Sequence, residues 1–326
     1  MLAINPTNAR MWSMLGPRGS FGVAMLDAVA GAPNVMVLTA DLGSTAGLDR
    51  FRATYPKQFL NVGIAEQNMV GIAAGLAKEG FNVFATTFAT FATMRAYEPT
   101  RVHLGYMQRN VKLIGLGSGL AMGQYGNTHY GIEDIALMRA VPGLAIISPA
   151  DGAEVVKTVE ALVRYDGPVY VRLTGIMNNP VVYREEYDFR IGKAVWLREG
   201  TDCTLVATGT MVYESMLAAK ALAEQGISAA VLNMHTIRPL DEDALDRAIS
   251  TTRSLVTVEE HTTVGGLGGA VAEYLAPLGG APRLLTLGLP HAFGNIGEYK
   301  YLLRKYGLTG GEIAARVASF ARNEAS

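Results

Sequence analysis

Residues 59–70 read Phe-Leu-Asn-Val-Gly-Ile-Ala-Glu-Gln-Asn-Met-Val, and the organisation of the chain follows outward from them. A short apolar run breaks at Gly63. Small and apolar side chains then recur at helical spacing through Ile64, Met69, Ile72, Ala73 and Leu76. Upstream, residues 35–40 (VMVLTA) are apolar almost throughout, as in a strand buried on both faces, and residues 81–87 form the next such run. The alternation continues with a helix over 90–104 that Pro99 interrupts, a strand at 111–116 and a Gly-rich loop at 115–131. A helix at 133–139, a strand at 144–148, a helix at 152–165 and a strand at 169–173 complete it. This rhythm predicts a mainly parallel sheet with helices on both faces. Residues 174–201 have no sustained period and read as a linker with room for a crossing strand. The rhythm then restarts with strands at 203–208, 229–234, 254–259 and 283–287. Helices at 212–225, 241–249, 270–275, 298–306 and 311–321 alternate with or follow them, the last capped by Thr309. The fold class is therefore α/β, with one domain over 1–177, a linker over 178–200 and a second domain over 201–326.

Composition narrows the function. The chain has 326 residues, 49% hydrophobic and only 17% charged, and a net charge of −1. Disorder is excluded, and a basic nucleic-acid or membrane-surface protein is disfavoured. The single cysteine, Cys203, forms no internal disulfide, and no apolar run approaches the ~20 residues that span a bilayer. The expected setting is cytoplasmic and reduced. With 37 glycines and little charge, the chain reads as a subunit of a larger assembly.

Three stretches carry candidate chemistry. Glu66 opens a helix of small and apolar residues. It either favours the helix dipole or is buried at an interface, its pKa raised by desolvation; Ile64, Ala65, Met69 and Val70 favour burial. Phe88, Phe91 and Met94 recur at i, i+3, i+6, which is either a core stripe or a slot for a flat ring on one helical face. His129 lies in the loop Gly123-Gln-Tyr-Gly-Asn-Thr-His-Tyr-Gly131, after a strand, where open α/β sheets place ligands. The Gly-rich turns at 115–119 and 265–269 lack dinucleotide spacing, and no Walker-type loop occurs. The five histidines are not grouped at metal-ligand spacing, so this chain is expected to hold no metal by itself.

Together these residues resemble the C-terminal portion of transketolase and of 1-deoxyxylulose-5-phosphate synthase. The marks are Val62-Gly-Ile-Ala-Glu66-Gln-Asn, Phe88-Ala-Thr-Phe91, Gly126-Asn-Thr-His129, Ser148-Pro-Ala-Asp151-Gly-Ala-Glu154 and Val258-Glu-Glu-His-Thr-Thr-Val-Gly265-Gly-Leu-Gly268. The resemblance implies a pyrimidine-binding domain followed by the family's C-terminal domain. No Gly-Asp-Gly occurs, so the diphosphate-binding half belongs to a partner subunit. That partner would hold the diphosphate of thiamine diphosphate with Mg²⁺ (or Ca²⁺). The implied assembly is α2β2, with a second copy of this chain, and the low charge becomes interface surface.

The resemblance also assigns roles. Glu66 matches the glutamate that hydrogen-bonds the aminopyrimidine. Phe88, Phe91 and Met94 match the ring pocket, His129 a histidine on the donor hydroxyls, and Asp41 an acidic residue near the cofactor. Arg18 and Thr45 match phosphate-side positions, and Tyr125 and Asn127 lie in the loop that faces the sugar. A histidine and an arginine usual in transketolases fall on Gly117 and Gly175, with Arg172 the candidate replacement cation. These departures point to an unusual sugar, unphosphorylated or carrying another anion such as a sulfonate. The implied activity is transfer of a two-carbon ketol unit (EC 2.2.1.-), active only with the partner. The competing readings are the β-type subunit of another thiamine-diphosphate enzyme, such as a 2-oxoacid dehydrogenase or deoxyxylulose synthase, and an inactive scaffolding half.

Overall fold

The computed structural model describes residues 2–322. The first part runs α1 (Pro6–Ala28), β1 (Val35–Thr39), α2 (Asp49–Thr54), β2 (Phe59–Asn61), α3 (Glu66–Lys78) and β3 (Asn82–Phe88). Short helical turns follow over 91–106, with α4 (Tyr97–Thr100) between two π-type turns. Then come β4 (Val111–Ser118), α5 (Asp134–Arg139), β5 (Ala145–Ile147), α6 (Gly152–Arg164) and β6 (Val169–Thr174). The second part runs β7 (Val195–Arg198), β8 (Cys203–Ala207), α7 (Met211–Ala223), β9 (Ala229–Asn233), β10 (Thr236–Arg238), α8 (Glu242–Thr251) and β11 (Ser254–Thr262). It ends with α9 (Leu267–Leu275), β12 (Arg283–Leu289), α10 (Tyr299–Lys305) and α11 (Gly310–Arg322).

Two sheets result, ordered β10-β5-β6-β4-β3-β1-β2 and β12-β11-β8-β9-β7. All pairings are parallel except β10 with β5 and β7 with β9, at the edges. The central strands β4 and β6 are buried along their whole length, which is why their sequences run apolar without alternation. The segment 178–200 contains β7, an edge strand of the second sheet. β10, although past residue 201, closes the edge of the first.

The structure differs from the reading of the sequence at α1, α2, β2, β10 and Phe88. α1 was not anticipated. Asn5 caps it through a side-chain bond to the Asn8 amide, Pro6 opens it, and Gly16, at φ 70°, kinks it before Pro17. That break disrupts any continuous helical period. β2 and β10 are three residues each and too short to show alternation. Phe88 ends β3 rather than beginning a helix, so Phe88, Phe91 and Met94 do not share a helical face.

Candidate active site

The candidate residues collect at the C-terminal edge of the parallel strands, where strand ends open into loops and helix starts turn toward them. Asp41 follows β1, Glu66 follows β2, Phe88 ends β3, and the His129 loop follows β4. Glu66 is 3% exposed at the first residue of α3. It is buried, as the sequence implied, but not isolated. Arg95 Nη1 lies 3.0 and 2.9 Å from its two carboxylate oxygens. The same guanidinium sits 4.3 Å from the Phe91 ring centroid. Arg95 was missed in the sequence because 29 residues separate it from Glu66; its one signal was a lone cation inside an aromatic stretch.

The rings gather despite the different local structure. Phe88 and Phe91 lie edge-to-face at 6.0 Å, and His129 lies 5.9 and 5.4 Å from them. Tyr125, exposed, leans on His129 at 5.1 Å. His129 Nδ1 is 2.9 Å from the Thr128 hydroxyl, which fixes the ring's orientation. Met94 is half exposed at the rim, its sulfur 3.8 Å from the Thr90 hydroxyl. A cavity of about 490 Å³ beside Phe88 and Tyr125 takes in Arg18 and Thr45.

Other candidates are committed elsewhere. Arg172 is not a substrate cation. It is fully buried, its Nε is 2.9 Å from Asp134, and its terminal nitrogens donate to Thr174, Gly131 O and Glu260 O. Asn127 is exposed, and both ends of its side-chain amide are held by the second domain. Its Nδ2 donates to Gly294 O at 3.0 Å and its Oδ1 accepts from Gly294 N at 2.7 Å, which ties its loop to the second domain. Asp41 pairs with Asn61 at the turn after β1. It exchanges two hydrogen bonds with Asn61, whose Oδ1 also accepts from Gly63 N, so it braces the turn leading to Glu66. Gly117 and Gly175 have φ of 64° and 102°. A Cβ there would meet Met122 Cγ at 2.8 Å and Asn179 Oδ1 at 2.7 Å, and the left-handed backbone would strain any side chain, so both positions disfavour a histidine or arginine.

The Glu259-Glu260-His261 run is buried in the junction between the domains. Glu259 accepts from Leu267 N and Gly268 N and so caps α9. Glu260 accepts from Leu120 N at 2.6 Å, Thr210 Oγ1 at 2.6 Å and Tyr299 Oη at 2.5 Å, joining the base of the His129 loop to the second domain. Among the described residues no three His, Cys, Asp or Glu side chains converge as a metal site, and no helix is long and apolar enough to cross a membrane.

Comparison with known proteins agrees with this layout. The family model "Transketolase, pyrimidine binding domain" matches residues 16–177, and "Transketolase, C-terminal domain" matches 192–313. A putative transketolase C-terminal section of Methanocaldococcus jannaschii is 40% identical over 311 residues, covering 95% of this chain and 97% of the relative. A 6-deoxy-6-sulfo-D-fructose transketolase subunit of a Clostridium species is 41% identical, covering 86% of each chain. Among solved structures, a split-gene transketolase described as an inactive β4 tetramer superposes with a TM-score of 0.85 at 37% identity, covering 93% of this chain and 97% of that one. The chain therefore belongs to the transketolase family, as a C-terminal section made of the pyrimidine-binding and C-terminal domains.

Proposed function

We propose that the chain is the pyrimidine-binding subunit of a split, thiamine-diphosphate-dependent transketolase. It moves a two-carbon ketol unit from a ketose to an aldose. Residues 1–177 act as the pyrimidine-binding domain and 201–326 as the C-terminal domain, with 178–200 between them. A partner subunit with the Gly-Asp-Gly sequence supplies the diphosphate site and Mg²⁺, and two copies of each chain form the working enzyme.

The observation that carries this reading is the buried Glu66 carboxylate, joined through Arg95 to the Phe91 ring of the Phe88–Phe91–His129 cluster. The donor set fits a flat heteroaromatic ring with hydrogen-bonding nitrogens: aromatic edges to enclose it, and one carboxyl sheltered from water to bond it. When bound, thiamine diphosphate supplies a carbon nucleophile and electron sink for cleaving and forming the bond next to a ketose carbonyl. Glu66 holds a proton at its carboxyl oxygen against the pyrimidine nitrogen. Arg95 must first withdraw from it, and at 48% side-chain exposure it has solvent to withdraw into. Phe88 and Phe91 exclude water, Met94 closes the rim, and His129 hydrogen-bonds the sugar hydroxyls and moves a proton at its ring nitrogen. Arg18, Thr45 and Tyr125 line the sugar's cavity.

Dependence on a partner is supported by Ile64, 77% exposed, and by exposed Met94, Tyr125 and Ile296, apolar side chains that water does not favour. A split-gene transketolase relative is described as an inactive β4 tetramer. A sulfonated sugar is the substrate named for one relative. It fits the sequence departure at Gly117 and Gly175, where a left-handed backbone disfavours the usual side chains.

The test is co-expression with a chain carrying the Gly-Asp-Gly domain, followed by assay of two-carbon transfer with and without thiamine diphosphate. Transfer is expected only from the mixture with cofactor. Glu66→Gln is expected to lower kcat by about 10²–10⁴-fold with assembly intact. Wild-type rates in that variant, or pyruvate decarboxylation without ketol transfer, overturn the reading.

A further inference from the structure

We infer that Lys300, brought in from the second domain, determines specificity by acting with Arg18 on a tetrahedral oxyanion, phosphate ester or sulfonate, at the far end of the sugar. This rests on the ketol-transfer reading above. The 490 Å³ cavity is lined on one side by Arg18 and Thr45, and on the other by Gly297, Glu298, Tyr299 and Lys300. A neighbouring cavity of about 320 Å³ shares Arg18 and Thr45 and adds the Ser44 hydroxyl.

Arg18 is half buried, and among the described residues no carboxylate pairs with it. Burial pulls its pKa down from the ordinary arginine value, with the neighbouring Tyr125 opposing. A partly desolvated guanidinium without a carboxylate is a group short of an anion. The glycines at 117 and 175 supply no second cation from the first domain. The second domain supplies one on a wall that is firmly built. Gly297 N donates to Gly123 O at 3.1 Å, Asn127 and Gly294 exchange two hydrogen bonds, and Tyr299 is anchored to buried Glu260. Lys300 follows directly on that anchor. Glu298 lines the same cavity and offsets one of the two cations. The excess is therefore one positive charge, enough to favour an oxyanion over a hydroxyl and not so much as to require a dianion.

The experiment uses the enzyme assembled with its partner subunit. KM is measured for three ketoses of equal length ending in phosphate, sulfonate and hydroxyl. Lys300→Gln is expected to reduce the preference for charged over hydroxyl-ended sugar about tenfold in KM, the effect of losing one charge-assisted hydrogen bond. Lys300→Arg is expected to keep the preference. Lys305→Gln, which removes the same charge from the same helix outside the cavity, is expected to leave it unchanged. The phosphate and sulfonate arms identify which tail the site takes. Calorimetric titration with inorganic phosphate and sulfate provides a readout without turnover, and both ions are expected to bind about tenfold more weakly to Lys300→Gln. If Lys300→Gln shifts the three KM values equally, or leaves anion binding unchanged, the assignment of Lys300 is overturned. If wild-type enzyme turns over none of the ketoses, it is the ketol-transfer reading that fails, and the titration still decides Lys300.

Discussion

Arg172 was legible as unusual, an arginine within the apolar strand sequence Val-Tyr-Val-Arg-Leu-Thr, but its role was not. Strand periodicity puts Tyr170 and Arg172 on one face, and both meet Asp134, whose carboxylate accepts from the Tyr170 hydroxyl at 2.7 Å and from Arg172 Nε. Asp134 lies 38 residues upstream in a different element, so no local pattern could reveal the pair. Both members are buried, and removing one leaves the other as an uncompensated charge. Arg172→Met should therefore destabilise the chain by about 3–5 kcal/mol, read from the urea midpoint at constant m-value. The double variant Arg172→Met/Asp134→Asn should recover part of that loss. A single variant as stable as wild type would contradict the buried-pair argument. Glu66 is the converse case. Its position and burial could be read from its apolar neighbours, whereas its salt bridge depended on how the residues after β3 coil.

At the scale of elements, the long parallel strands and their covering helices were readable, because burial on both faces writes itself as unbroken apolar runs. The pieces that aim the site were not. The turns around Phe91 and Met94 belong to no regular period, and the segment 291–298 has no secondary structure to announce it. Yet that segment holds the His129 loop. The Asn127–Gly294 pair, the Gly297–Gly123 bond and the Tyr130 hydroxyl on Asn295 O stitch one domain's loop to the other's. Gly126 fits against Ile296 only because it lacks a Cβ, which would lie 2.7 Å from Ile296 Cγ1. Asn127→Ala removes two solvent-accessible hydrogen bonds, so its effect on global stability should be small, about 1–2 kcal/mol. Its local effect should be larger: faster amide hydrogen exchange at Gly294 and at the amides of Tyr125–Tyr130 than in wild type, with the strands unchanged. Unaltered exchange in that loop would mean the clamp is not what holds it.

For the whole molecule, the junction between the domains concentrates ionisable groups out of water, and this sets how stability varies with pH. Burial pushes Glu259 up to about 7, against the hydrogen bonds it accepts from Gly268 N and Leu267 N. Between its ordinary value near 4.5 and about 7, the folded chain thus holds a proton that the unfolded chain has released. Its contribution is fully present below pH 4.5 and is lost as pH rises through 7. Asp151, pushed up by burial to about 6, acts in the same direction. The buried histidines act in the opposite one. Burial pulls His261 and His235 down to about 4, so between pH 6.5 and 4 the unfolded chain binds protons that the folded chain refuses. Their contribution is present above pH 6.5 and is lost as pH falls toward 4. The two trends oppose each other and largely cancel between pH 4.5 and 6.5, and burial of Lys112, pulled down to about 7, adds a contribution that grows as pH rises through 7, so the share of Glu259 is read as a difference between variant and wild type. Glu259→Gln cannot ionise yet keeps an acceptor for one of the two α9 amides. In urea titrations from pH 4.5 to 8 its stability should rise more steeply with pH between 4.5 and 7 than that of wild type, because the opposing contribution of Glu259 is gone. A pH profile parallel to that of wild type would show that Glu259 carries none of the dependence. Because Glu259 and His261 flank Glu260, which joins the His129 loop to the second domain, the pH at which this junction loosens should also be the pH at which that loop begins to exchange.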